Sequence, residues 1–141
     1  MTVRSAKALW NGTLKEGKGT MSFSNYNGPY TFASRFENGD GTNPEELVGA
    51  AHAGCYSMFL SALLSNSELN PESVETTAEV TLEKDDIGPN ISHIKLVCKV
   101  TCEGLSQELF EELSQAAKEK CPISRLYSGS TAAIELDATL Q

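Results

Sequence analysis

Residues 43–66, NPEELVGAAHAGCYSMFLSALLSN, constrain the fold of this chain more than any other stretch. Asn43 followed by Pro44 is a helix start, a capping side chain and then a proline at the first helical position. Glu45 and Glu46 fall in the first turn, where the helix dipole favours negative charge. Leu47, Ala51, Cys55, Met58, Phe59 and Ala62 recur every three or four residues, so the spacing predicts a helix over about 44–66. His52, Gly54 and the alanines leave little polar surface, and a helix of that kind is buried over much of its circumference.

The flanking segments predict what surrounds it. AKALWNGTLKEGKGTMSFSNY and GPYTFASRF alternate short mixed runs with Gly and Asn turn signals, which reads as an antiparallel meander of about three strands. SRFE is a loop bearing one arginine, and FENGDGTNPEE continues it to the helix. Two longer strands, SVETTAEVTLEK and ISHIKLVCKVTCEG, are separated by the turn DDIGPN. SQELFEELSQAAKE predicts an amphipathic helix over about 106–119. Pro122 restricts the residue before it, so Cys121 lies at a break before a short turn in PISRLYS. TAAIELDATL is a last strand. The order βββ-α-ββ-α-β is an α+β arrangement of helices against an antiparallel or mixed sheet, and 141 residues suit one domain, 1–141.

Composition excludes several classes of function. A net charge of −8 with scattered basic residues argues against nucleic acid, whose binding rests on Lys and Arg neutralising phosphates. The start MTVRSAKALW lacks the apolar core of a signal peptide, and no stretch is expected to reach the ~20 apolar residues of a membrane span. A cytoplasmic location, with no membrane partner, is the expectation. The four cysteines, Cys55, Cys98, Cys102 and Cys121, do not form a disulfide scaffold in such a setting. Their spacings miss the paired CxxC clusters of a zinc site, and His52 and His93 do not complete one.

Cys98 and Cys102 fall in register with the apolar face of a strand and read as core packing. Cys55 is either core filling among alanines or a nucleophile. A thiol becomes nucleophilic only as thiolate, which requires a nearby cation or a helix terminus. Mid-helix, Cys55 gains nothing from the dipole, so the cation must come from another segment. Arg35 is the candidate, because its guanidinium stays charged when partly buried and its fork can hold a carboxylate, for which Glu45 is placed. Their bland readings are an exposed turn residue and a dipole partner.

Glu45 precedes Cys55 by ten residues, about 15 Å along a helix, and cannot reach it within one subunit. A second, antiparallel copy of the helix in a symmetric homodimer would bring the two together, and the apolar helix suits such burial. Cys121 is either a capping or core residue or a resolving thiol that attacks an oxidised Cys55. His52 is a helix-packing histidine three residues before Cys55, and His93 is solvent-exposed on a strand.

RFENGDGTNPEELVGAAHAGCYSMFLSALL, KEKCPISRLYSGS and, near the start, WNGTLKEGKGT closely resemble the signature regions of the osmotically inducible protein C (OsmC) family, whose sister group is the organic hydroperoxide resistance (Ohr) proteins. The resemblance runs over nearly the whole chain. It implies a thiol peroxidase acting in oxidative and osmotic stress, with two long antiparallel sheets and central helices in an intertwined homodimer. By motif position, Cys55 resembles the peroxidatic cysteine, Cys121 the resolving cysteine, Glu45 the first glutamate of NPE, and Arg35 the arginine of the RFE loop, which favours the OsmC branch. Gly54 and Tyr56 stand where alanine and phenylalanine are usual, which alters the pocket wall without removing a catalytic group.

The implied chemistry reduces organic hydroperoxides, and hydrogen peroxide more weakly, through a Cys55 sulfenic acid and a Cys55–Cys121 disulfide. It needs no bound cofactor or metal, only an external dithiol such as a dihydrolipoyl group. Met58, Phe59 and Leu126 are the expected apolar pocket lining. Two rivals are weighed beside it. One is a non-catalytic stress-response or ligand-binding domain of the same fold. The other, a thioredoxin-type oxidoreductase, is rejected because there is no CxxC and the two cysteines lie 66 positions apart.

Overall fold

Short strands closed by tight turns build the first part of the chain. The protein's computed structural model describes residues 1–141, which divide into two compact units, Met1–Leu47 and Val48–Gln141. In the first, β1 (Lys7–Asn11), β2 (Lys18–Phe23) and β3 (Tyr26–Tyr30) form an antiparallel meander. The β2–β3 turn has two residues, and Ser24 takes the positive φ, 45°, that such turns demand. Phe23 and Tyr26 stack across it with ring centroids 4.8 Å apart. The register sets Trp10 opposite Gly19 and Gly19 opposite Tyr30. A Cβ on Gly19 would lie 2.5 Å from both aromatic rings, so only glycine lets them close over the strand.

The SRFE segment is not a loop. Residues Phe32–Phe36 form a short helix, α1, because Thr31 and Ser34 make a capping box. Ser34 N–H donates to Thr31 Oγ1 at 3.1 Å, and Thr31 N–H donates to Ser34 Oγ at 2.9 Å. Asn43 then ties α1 to the next helix: its Nδ2 donates to the Ser34 carbonyl (3.1 Å) while its Oδ1 accepts from Glu46 N–H (2.8 Å). That second bond is the cap read from the sequence, and it opens α2 (Pro44–Asn66).

The second unit is a three-stranded sheet with helices packed on it. β4 (Ser73–Lys84) and β5 (Pro89–Thr101) are antiparallel, joined by a turn in which Asp85 Oδ1 accepts from the amides of Ile87 and Gly88. β6 (Ala133–Leu140) pairs with β5 in parallel. This corrects the expectation of two long antiparallel sheets: the second sheet is mixed, and the strands of the first have only five or six residues. The reason is connectivity. Two helices, α3 (Gln107–Lys120) and α4 (Pro122–Tyr127), intervene between β5 and β6, and a helical crossover returns the chain in the same direction.

Val74, Thr76, Ala78 and Val80 of β4 face Val100, Cys98, Leu96 and Ile94 of β5, giving the alternating inner face of the core. Phe110, Ser114 and Ala117 of α3 cover it at helical spacing. α2 contributes His52, Tyr56, Leu60 and Leu64, all fully buried. Burying each leucine contributes about 1.5–3 kcal/mol. Three polar side chains of α2 fix its rotation: His52 bonds to Ser124 of α4, Tyr56 to the Ser114 carbonyl of α3, and Ser57 to Thr76 of β4.

Two expectations about α2 need correction. Ala51, Met58 and Ala62 are exposed, so the buried face is not the one expected. A helix apolar on every side offers no periodicity from which to choose. By length and composition α2 is also able to cross a membrane, contrary to the expectation that no stretch would qualify. One of its faces is instead covered by the sheet and helices of its own unit.

Candidate active site

The candidate residues form two clusters. In the first unit, the capping box of α1 and the Asn43 cap of α2 bring Arg35 and Glu45 together. Arg35 Nη2 donates to Glu45 Oε1 at 2.7 Å, and Nε lies 3.2 Å from each carboxylate oxygen. The Glu45 side chain is only 11% exposed and that of Arg35 34%. A guanidinium fork engaging both oxygens of a carboxylate holds its plane fixed. Arg35 also lies over the Phe36 ring, 5.1 Å from its centroid.

This guanidinium borders a 380 Å³ hollow walled by Trp10, Leu14, Tyr30, Phe32 and Phe36. No sequence signal marked it. The aromatic residues lie on different strands and on α1, and only the register across Gly19 sets Trp10 and Tyr30 side by side, 5.2 Å apart. The expected pocket lining fares differently. Met58 and Leu126 are solvent-exposed, and Phe59 packs against the core of the second unit.

In the second unit, α2 carries Cys55 and the α3–α4 break carries Cys121. Both thiols are free, Cys55 half-buried and Cys121 completely buried. As Pro122 required, Cys121 is extended (ψ 139°) and caps α4, with Ser124 N–H 3.3 Å from its sulfur. The neighbouring Ile123 amide acts to lower the Cys55 thiol. The Cys55 thiol is nonetheless pushed up, first by burial and further by the adjacent Cys121, against the lowering effect of Ile123. None of these influences is a cation.

His52 lies fully buried one turn before Cys55, its Nε2 2.7 Å from Ser124 Oγ and its ring edge-on to Tyr127. Burial lowers its pKa. Cys98 and Cys102 are core residues, as their register predicts. His93, expected to be solvent-exposed, has a side chain 39% exposed and pairs with Glu135 at 3.0 Å across β5 and β6. Of the two departures flanking Cys55, Tyr56 is fully buried against α3, while a Cβ on Gly54 would meet nothing within 4 Å. No group of three or more His, Cys, Asp or Glu side chains is arranged to hold a metal ion.

Residues 37–137 match the family described as OsmC-like protein. Over 145 aligned positions the chain is 43% identical to Peroxiredoxin OsmC of Escherichia coli, covering 100% of this chain and 99% of that one. It is 32% identical to organic hydroperoxide resistance protein-like 2 of Staphylococcus epidermidis, covering 74% and 72%. Among solved structures, OhrB of Bacillus subtilis superposes with a TM-score of 0.70 at 26% identity, over 96% of this chain and 98% of that one. An OsmC-like protein from Mycoplasma pneumoniae shares the fold with a TM-score of 0.75 at 16% identity, over 99% and 97%.

Proposed function

The chain belongs to the OsmC-like protein family, and on that footing we propose that it is a thiol peroxidase that reduces organic hydroperoxides to alcohols, and hydrogen peroxide more slowly. Its activity is of the peroxiredoxin type, directed at hydroperoxides. The observation that carries the finer reading is the pair of free, neighbouring thiols, Cys55 and Cys121, with the Ser124 amide 3.3 Å from the buried Cys121 sulfur.

The Cys55 thiolate attacks the distal oxygen of the peroxide. The O–O bond breaks, the alkoxide takes up a proton and leaves as alcohol, and Cys55 becomes a sulfenic acid. Cys121 then condenses with it, forming an intrasubunit disulfide and releasing water. An external dithiol, for which a dihydrolipoyl group has suitable chemistry, restores both thiols, and no bound cofactor takes part. A resting dithiol suits a reducing compartment such as the cytoplasm.

The raised Cys55 requires a cation, and the fork-held Arg35 is the one proposed. Since Glu45 and Cys55 are ten residues apart on α2, about 15 Å, a homodimer supplies the geometry, the partner subunit's Arg35 acting on Cys55 while its Glu45 holds the guanidinium. The aromatic hollow beside Arg35 then receives the apolar part of the hydroperoxide. One observation favours a second reading, a non-catalytic domain of the same fold: within the chain, burial raises the Cys55 thiol and no cation opposes it.

Stopped-flow consumption of cumene hydroperoxide and hydrogen peroxide by the reduced protein separates the two readings, with disulfide mapping of the product for wild type and Cys55→Ser. Fast consumption of the organic peroxide, lost in the variant and ending in a Cys55–Cys121 bond, is the expected result. Equal, slow reaction of both proteins would leave Cys55 as core filling.

A further inference from the structure

One buried titratable group takes no part in that scheme. His52 is fully buried, and its Nε2 lies 2.7 Å from Ser124 Oγ. Ser124, itself only 3% exposed, places the same oxygen 3.2 Å from the Cys121 sulfur. Imidazole, hydroxyl and thiol therefore form one continuous buried chain. The other ring nitrogen, Nδ1, is buried without any hydrogen-bond partner.

That orphan nitrogen matters. The proton position on a histidine ring is set by the bond its other nitrogen makes. Nδ1 makes none here, so nothing outside the chain of three groups dictates whether Nε2 donates to Ser124 or accepts from it. A serine hydroxyl is equally reversible, with one donor and two acceptor sites. A buried imidazole left with one unpaired nitrogen costs stability, and structural packing alone does not account for it.

We propose that His52, acting through Ser124, is a proton relay for the Cys121 thiol in the disulfide-forming step. The inference rests on the reading of Cys121 as the resolving cysteine. As Cys121 Sγ bonds to Cys55 Sγ, the S–O bond of the sulfenic acid breaks. The Cys121 thiol proton passes to Ser124 Oγ, and the Ser124 hydroxyl proton passes to His52 Nε2. The departing hydroxide takes a proton from solvent and leaves as water, and His52 afterwards returns its own proton to solvent through the Ser124 hydroxyl. Thiol and sulfenic acid thus give disulfide and water. The Cys121 sulfur is oxidised by one electron equivalent, the Cys55 sulfur is reduced by one, and no other oxidant is needed.

The surroundings fit a relay. The titratable groups nearby include the two cysteines, Tyr56 and Tyr127, both tyrosines raised by burial, and Lys118 and Glu119 beside Ser124. A hollow of 370 Å³ that reaches Ser124 is bordered by Lys118 and Glu119 and gives the proton a route to solvent. His52 is a positioning residue, since it acts through Ser124, whose hydroxyl contacts the reacting Cys121 sulfur.

The test is a single-turnover experiment with cumene hydroperoxide on reduced wild type, His52→Gln and Ser124→Ala, from pH 6 to pH 9. It follows oxidation of Cys55, sulfenic acid trapped by dimedone, and the Cys55–Cys121 disulfide. His52→Gln keeps a hydrogen-bonding side chain but no base, and Ser124→Ala keeps the amide that faces Cys121. Both variants are expected to slow disulfide formation relative to Cys55 oxidation by on the order of 100-fold near neutral pH. Trapped sulfenic acid should rise, and the deficit should shrink as pH approaches the range of an ordinary thiol, about 8.5. A disulfide step at the wild-type rate in both variants, or one slowed equally at every pH, overturns the relay. If wild type forms no Cys55–Cys121 disulfide, the underlying reading fails first and the relay fails with it.

Discussion

Arg35 and His52 show how much a single side chain's setting decides. Lysine in place of Arg35 keeps the charge but loses the fork that grips both oxygens of Glu45. Arg35→Lys is therefore expected to slow peroxide consumption by on the order of 100-fold, read by stopped flow at saturating substrate. For His52, burial holds the folded-state pKa below its ordinary 6.5. Between that lowered value and 6.5 the unfolded chain binds a proton that the folded chain refuses, so stability falls as pH drops through this window and is flat above it. Urea midpoints at pH 7.5 and 5.5 should differ more for wild type than for His52→Gln. Residue types and spacing put forward Cys55, Cys121, Arg35 and Glu45 as candidates. They could not have joined His52 to Ser124, 72 positions away, because that bond depends on how α4 lies against α2.

At the scale of elements, local rules worked where a cap or a break was written into neighbouring residues. Asn43 caps α2 and Pro122 separates α3 from α4, both within reach of their own sequence. Asn43→Ala should cost about 1 kcal/mol in urea unfolding for the lost cap, and more in total, since Asn43 also holds the Ser34 carbonyl. Leu60→Ala, in the middle of the buried face of α2, should cost about 2–5 kcal/mol. The local rules failed on α1, whose capping box carries serine rather than glutamate at its third helical position. They also failed on β6, whose direction follows from two helices of crossover and not from the strand's own residues.

At the scale of the whole molecule, α2 presents Ala51, Gly54, Met58 and Ala62 to solvent along one side. If the proposed homodimer is correct, this side faces the partner, and Met58→Glu should shift the protein toward monomer in sedimentation velocity and lower peroxide turnover, with an unchanged circular dichroism spectrum. A dimer of wild-type strength in that variant would count against this face. The sequence by itself determined what is local: a capped 23-residue apolar helix, the alternation of β4 and β5, and the break at Cys121. Only the tertiary structure decided which face of that helix is buried, the parallel pairing of β6, the aromatic hollow beside Arg35, and the buried chain from His52 to Cys121. The division is physical. Caps and periodicities act over a few residues of backbone, while packing and register join residues whose separation along the chain carries no signal of their meeting.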